Sequence, residues 1–148
     1  MLGATMRFLD QGKEYVISLY RIVIGLLFVS HGAASLFGVF GAKKAIAFGL
    51  WPSWWAAAIQ LVAGALVLVG LFTRVAALLC SGSMAYAYFT VHMPKSFIPM
   101  INGGEAAIQF CWAFLLVAFL GSGVWSIDRV LRRTVEIRVN AVRQPVTQ

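Results

Sequence analysis

Seven side chains can carry charge or form strong hydrogen bonds from within stretches that otherwise offer only hydrocarbon: Arg21, His31, Gln60, Tyr88, His92, Glu105 and Gln109. In a bilayer an ionisable side chain costs about 2.5–3.5 kcal/mol on insertion scales, so each such residue calls for a reason. Histidine and glutamate exchange protons where burial and neighbours tune them. A glutamine amide or a phenol can hold a polar group without changing charge. Cys80 and Cys111 fall inside apolar segments and read as small buried hydrophobes; two cysteines do not make a disulfide framework. No phosphate-cradling glycine loop, serine elbow or Cys-x-x-Cys pair is present.

Helical spacing sorts these residues onto faces. Arg21, Gly25, Phe28, Gly32 and Ser35 form one stripe with His31 on its flank. Gln60, Gly64 and Val67 form a second, Ser81, Ala85, Tyr88 and His92 a third, and Glu105, Gln109 and Trp112 a fourth. Small residues let helices approach and polar ones bond across the gap, so the four stripes are expected to face a common axis. At 1.5 Å per residue, Gln60 and His31 both lie roughly 10–13 Å below the outer ends of their helices. His92 and Glu105 sit at the outer mouth, with Tyr88 and Gln109 one turn deeper. The expectation is an off-centre polar cluster of His31, Gln60, Tyr88, His92, Glu105 and Gln109, suited to a polar headgroup or a proton-accepting ligand such as a quinone. Arg21 stands apart near the inner face, where it would snorkel towards the headgroups. Haem ligation by the two histidines is disfavoured, because the helical rise sets them about 10 Å apart in depth. Zinc is disfavoured because the thiols lie far from both imidazoles, so no metal site is expected.

These residues are carried by an unusual chain. Of its 148 residues 61% are hydrophobic and 11% charged, with a mean hydropathy of +0.85. Ordinary soluble domains are about 45–50% apolar and 25% charged. So small a domain could not bury this much apolar surface in water, which excludes an ordinary soluble enzyme, a disordered chain and a nucleic-acid-binding domain. Apolar runs extend over residues 15–37, 52–72, 75–93 and 105–125, each near the ~20 residues that cross a ~30 Å hydrocarbon core. They predict an all-α, antiparallel four-helix transmembrane bundle. Residues 1–14 form a leading segment and 126–148 a basic tail. Thr73-Arg74 is read as the hairpin between the second and third spans, and residues 42–48 as a short interfacial helix.

The net charge of +7 speaks for topology rather than nucleic acid. With four spans, Arg7, Lys13, Arg21, Arg74 and the tail's Arg129, Arg132, Arg133, Arg138 and Arg143 share one side; Lys43, Lys44 and Lys95 share the other. Positive charge favours the cytoplasm, so both termini are placed there. Ser126-Ile127-Asp128 reads as a helix N-cap, followed by an amphipathic segment on the inner leaflet.

Several ordered pieces resemble the DoxX family of small four-span membrane proteins. They are Arg21 to Phe28 with His31-Gly32, Gly64 to Arg74 ending Gly70-Leu-Phe-Thr-Arg74, His92-Met-Pro94 with Asn102-Gly-Gly-Glu105, and Gly121-Ser-Gly123 with Trp125-Ser-Ile-Asp128. The resemblance covers roughly residues 20–131. It implies a multi-pass protein of the prokaryotic cytoplasmic (inner) membrane. It also implies a link to redox metabolism, since the family takes its name from a subunit of thiosulfate:quinone oxidoreductase. Gln60 stands where the family often has glutamate, and Ser35 where a lysine commonly follows the His-Gly pair. The first change removes a proton acceptor and the second a cation for an anionic substrate.

Two functions follow as expectations. One is an accessory or quinone-contacting subunit of a membrane electron-transfer complex, at most a subunit of an oxidoreductase. The other is a non-enzymatic assembly subunit whose polar core is structural. No intrinsic cofactor is expected; a quinone or lipid is the molecule such a pocket would take. Membrane lipids and other membrane subunits, or further copies of the chain, are the expected partners, and nucleic acid is not. A transporter is disfavoured by the absence of paired broken helices or an inverted repeat.

Overall fold

A computed structural model describes the backbone of residues 2–42 and 44–143, and side chains over 9–42 and 44–139. The described residues hold helices and no strand: α1 (Leu2–Phe37), α2 (Ser53–Val69), α3 (Thr73–Ala87) continued by a π-helical turn (Tyr88–His92), α4 (Pro99–Asn102), α5 (Glu105–Leu120) and α6 (Ile127–Arg143). α1 packs along α2, α2 against α3 and α3 along α5, while α1 and α5 meet along a thinner seam. The 29-residue Leu9–Phe37 stretch and the 20-residue Thr73–His92 stretch are long and apolar enough to cross a membrane; α2 and α5 are apolar but shorter.

The α1–α2 pair is close because glycines occupy its seam. A Cβ on Gly32 would lie 2.6 Å from the Leu61 nitrogen, and one on Gly25 2.9 Å from the Leu68 backbone. Such contact lets the backbones approach nearer than any side chain would allow. The core lies between these helices and the α3–α5 pair, with Phe28, Val67, Cys80, Phe114 and Val117 fully enclosed. The outward faces carry Leu19, Val23, Leu26, Val62, Leu78, Leu79 and Phe119, each about half exposed or more. An exposed apolar girdle of this extent is what a lipid-facing surface requires.

Four local expectations need correction. Residues 2–14 continue α1 without a break, because nothing there interrupts a helix. The described part of 42–48 is not helical; α1 stops where Gly38 takes φ +66° and donates to the Ala34 carbonyl, and Phe40, Gly41 and Gly49 also have positive φ. The hairpin lies at Gly70-Leu71-Phe72, three residues earlier than read, with Thr73 and Arg74 already in the first turn of α3. There Gly70 (φ +74°) closes α2, its N–H bonding to Val67 and that of Leu71 to Leu66, a Schellman pattern. Finally, α5 ends at Leu120 rather than Trp125, released by Gly121 at φ +92°.

The tail helix does begin as expected. The Ser126 hydroxyl accepts the Arg129 N–H at 3.2 Å, the N-cap bond. From Leu131 to Val139 every side chain of α6 is exposed, so the helix projects from the bundle with its apolar residues uncovered.

Candidate functional site

At the end of the bundle away from the termini (the distal end), one cavity of about 210 Å³ is lined by His31 of α1, Gln60 of α2, and His92 at the end of the π-helical turn. Its remaining walls are apolar, with Phe28, Met84, Ala107 and Phe110 among them. The His31 ring meets Phe110 edge to face, centroids 5.9 Å apart. His92 is oriented by its other nitrogen: Nδ1 lies 3.1 Å from the Asn102 carbonyl oxygen. A carbonyl only accepts, so Nδ1 carries the proton, and Nε2 of the neutral ring keeps its lone pair. The loop holding that carbonyl is pinned by Asn102 itself. Its side chain is buried, donates to the Ser96 carbonyl at 2.6 Å and accepts the Gly104 N–H at 2.7 Å. Sequence reasoning noted Asn102 only as part of a motif. Its role needs the loop folded back onto itself, which spacing does not show.

Three of the six expected residues thus meet. Tyr88 is half-buried, and its hydroxyl donates instead to the Phe97 carbonyl at 3.2 Å, bracing the distal loop. Glu105, Gln109 and Trp112 do share a face of α5, as spacing required, but that face points outward; all three are exposed. The buried face is Ala107, Phe114, Val117 and Ala118. α5 is apolar nearly all round, and its small side chains, Ala107 and Ala118, lie on the buried face around Phe114, so close approach to α3 rather than polarity decides which side packs. Gln109 borders a separate groove of about 470 Å³ at the α1–α5 seam, with Tyr20, Leu27 and Leu116. Phe110 lies between the two, lining both.

Arg21 departs most from expectation. It does not snorkel; it is 1% exposed at the opposite, proximal end. Its Nε donates to the Ser122 carbonyl at 3.0 Å, and one terminal nitrogen to Leu68 at 2.6 Å and to Val67; the other donates to Trp125. The first pair of acceptors closes the C-terminus of α2, where the helix dipole favours a cation. The second pair lies on the 121–126 turn that joins α5 to α6. Beside it, Asp128 accepts from the Phe72 amide (2.8 Å), the Thr73 amide (2.9 Å) and the Thr73 hydroxyl (2.7 Å), so a residue of α6 caps α3. Burial alone would raise the Asp128 carboxyl; the three hydrogen bonds and the nearby Arg132 outweigh it and hold it below the ordinary carboxylate value. The Asp128 N–H returns to the Gly70 carbonyl at 2.9 Å. Arg21, Gly70, Thr73, Ser126 and Asp128 therefore form a joint, while Arg74 is exposed. Apart from Arg21, its members come from the pieces 64–74 and 121–128.

Chemically, the distal cavity offers one amide and two imidazoles to a small polar group, inside apolar walls. The joint's polar groups are engaged with one another, and it holds four segments together. Cys80 is fully buried, and the half-buried Cys111 accepts the Ser81 hydroxyl at its carbonyl (2.9 Å), bonding α3 to α5.

Comparison with known proteins bears on the whole chain. The family model of DoxX matches residues 16–93, which include α1 from Val16 onward, α2, α3 and the π-helical turn. An uncharacterized protein of Haemophilus influenzae is 34% identical over 136 residues, covering 83% of this chain and 96% of the relative. No solved structure matches. With Arg21, the His31-Gly32 step and the His92 turn all inside the matched residues, the chain belongs to the DoxX family of membrane proteins.

Proposed function

We propose that the chain is a four-span subunit of a redox complex in the prokaryotic cytoplasmic membrane, seating the polar head of a lipid-soluble ligand such as a quinone at His31, Gln60 and His92. The observation that carries this reading is the convergence of three polar side chains from three helices on one cavity with apolar walls. A small head fits such a space, because a few placed polar groups, the exposed His31 and the half-buried Gln60 and His92, orient it against apolar walls. Gln60 could donate to a carbonyl of the head, and Nε2 of His92, with its lone pair free, could accept from a hydroxyl. The chain carries no redox centre among these residues, so electrons would come from a partner.

The topology belongs to the same proposal. Nine basic residues against three favour both termini in the cytoplasm. α6, with Arg129, Arg132 and Arg133 on one side and Val130, Leu131, Val135 and Ile137 exposed, suits the inner leaflet. α2 and α5, at 17 and 16 residues, reach about 24–26 Å and would cross with their flanking residues or with local thinning.

The test is mass spectrometry of the protein purified in mild detergent, reading both copurifying proteins and the organic extract. A stoichiometric quinone or a redox partner is expected, with the quinone lost in His31→Ala and His92→Ala while the fold persists. Neither ligand nor redox partner in the extract, and no quinone retained when it is added back, would end this reading.

A second reading is favoured by one feature: α5 turns Glu105, Gln109 and Trp112 outward beside the thin α1–α5 seam. Polar groups facing lipid need a partner helix. On this reading the chain is an assembly subunit, and Gln109→Leu would release the partner without touching quinone retention.

A further inference from the structure

At the proximal end a cavity of about 300 Å³ opens between Glu14 of α1, the start of α3, the turn after α5 and the root of α6. Three arginines line it, Arg74 from the first turn of α3 and Arg129 and Arg132 from the first two turns of α6. The spacing of Arg129 and Arg132 puts both on one face of α6, and the Arg74 guanidinium lies over Gly121, 3.7 Å from where a Cβ would stand. Two carboxylates also border the space. Asp128 already accepts three hydrogen bonds from Phe72 and Thr73, so its charge is directed into the α3 terminus. Glu14 is the other, and the arginines remain in excess. The N-termini of α3 and α6, helices of 15 and 17 residues, converge here and add positive partial charge. Among the described residues none of the three guanidinium groups donates a hydrogen bond within the Arg21 joint; Arg132 acts on it only through its charge near Asp128.

The level of this cavity says what would fill it. Tyr15 and Trp125 pair edge to face beside it, centroids 5.6 Å apart, and both are about half exposed. Tyr15 follows Glu14, and Trp125 lies two residues past Gly123, so the aromatic pair and the cavity share a height. Tyrosine and tryptophan collect at the headgroup level of a bilayer. A polar cavity with guanidinium groups at that height faces lipid phosphates sideways.

We propose that this cavity binds a phosphate-bearing anion, the headgroup of an anionic phospholipid, between Arg74, Arg129 and Arg132. Guanidinium groups grip phosphate oxygens with paired N–H donors, which a neutral cavity would not do. The proposal is independent of the distal pocket.

The experiment titrates the full chain in detergent with short-chain phosphatidylglycerol, phosphatidylcholine or inorganic phosphate, scoring lipid adducts by native mass spectrometry and Trp125-side fluorescence. Phosphatidylglycerol should bind saturably and at least about tenfold more tightly than phosphatidylcholine, as charge-assisted bonds require. Arg74→Gln and Arg132→Gln should each weaken it about tenfold, while Arg133→Gln, outside the cavity, leaves it unchanged. Inorganic phosphate that fails to compete identifies the lipid as the source; equal competition keeps the anion site and assigns it to free phosphate. Should the arginine variants fail to fold, the salt dependence of the wild-type chain decides: binding of phosphatidylglycerol must fall with added salt. Equal binding of both lipids, salt-insensitive binding, or folded arginine variants that bind as the wild type overturns the site.

Discussion

Replacing Arg21 by methionine tests whether this cation is a joint or a surface charge. The side chain is 1% exposed and serves four carbonyls. The Val67 oxygen retains the Gly70 N–H as a partner, so Leu68, Ser122 and Trp125 lose most. A buried polar group left without a partner costs about 1–3 kcal/mol, which for three carbonyls gives roughly 3–9 kcal/mol. Interhelical bonds inside membranes average nearer 0.6 kcal/mol, which sets a floor of about 2 kcal/mol for four. Methionine recovers some apolar contact, so the expected loss is about 3–5 kcal/mol. Arg21→Lys should lose about half as much, since one ammonium cannot reach acceptors on both α2 and the 121–126 turn. The assay is equilibrium unfolding in mixed detergent micelles, followed by fluorescence of the five tryptophans. Arg133→Gln on the exposed tail helix is the control, with an expected change under about 0.5 kcal/mol. If Arg21→Met shifted stability by less than about 1 kcal/mol, the joint would be refuted and Arg21 would be a snorkelling surface charge after all.

Other expectations concern separate parts of the molecule. Asp128 has its folded carboxyl held below the ordinary value, so its contribution is complete above the ordinary carboxylate range and lost as pH falls through the lowered folded value. Asp128→Asn should flatten that acid limb of the stability curve and cost about 0.5–2 kcal/mol at neutral pH, as a lost helix cap does; an unchanged acid limb would dismiss the cap. Gly32→Leu should separate α1 from α2 at a cost of at least about 1–3 kcal/mol, because backbone stands 2.6 Å from its first side-chain atom. Gly82→Ala meets nothing within 4 Å and should stabilise α3 by up to about 1 kcal/mol in the same unfolding assay. Glu105→Gln should leave distal-pocket ligand retention within twofold, since that side chain faces outward; a selective loss would return Glu105 to the pocket.

Periodicity made much of this fold readable. The stripe of Arg21, Gly25, Phe28 and Gly32 is indeed the buried seam of α1, and Gly64 and Val67 face it from α2. Small residues at four- and three-residue steps have a single packing use, so pattern and burial agree there. On α5 the reasoning failed because a helix apolar on every side has no strong preferred face, and polarity is a poor guide to what lies inside when lipid lies outside. His31 and Gln60 were legible as neighbours since depth and face both follow from helical geometry, whereas the same rise sets His92 about 10 Å from His31 in depth, yet His92 lines their cavity from the end of the π-helical turn. Tyr88 was not, because its hydroxyl is claimed by a loop whose course local sequence leaves open. The joint was invisible for a related reason: the acceptors of Arg21 are backbone carbonyls 46 to 104 residues away, and a carbonyl leaves no signature in residue type.

That separation along the chain gives the molecule an order of manufacture. Arg21 is made early in synthesis, yet the carbonyls of Ser122 and Trp125 are made only near the end. Val67 and Leu68 can engage it once α2 has formed, leaving the guanidinium half-served while α3 and α5 are still being translated. The nascent protein thus carries an unsettled cation in its first helix until the last turn docks. A chain broken off before residue 121 keeps that defect and presents it to membrane quality control, whereas a finished chain hides it.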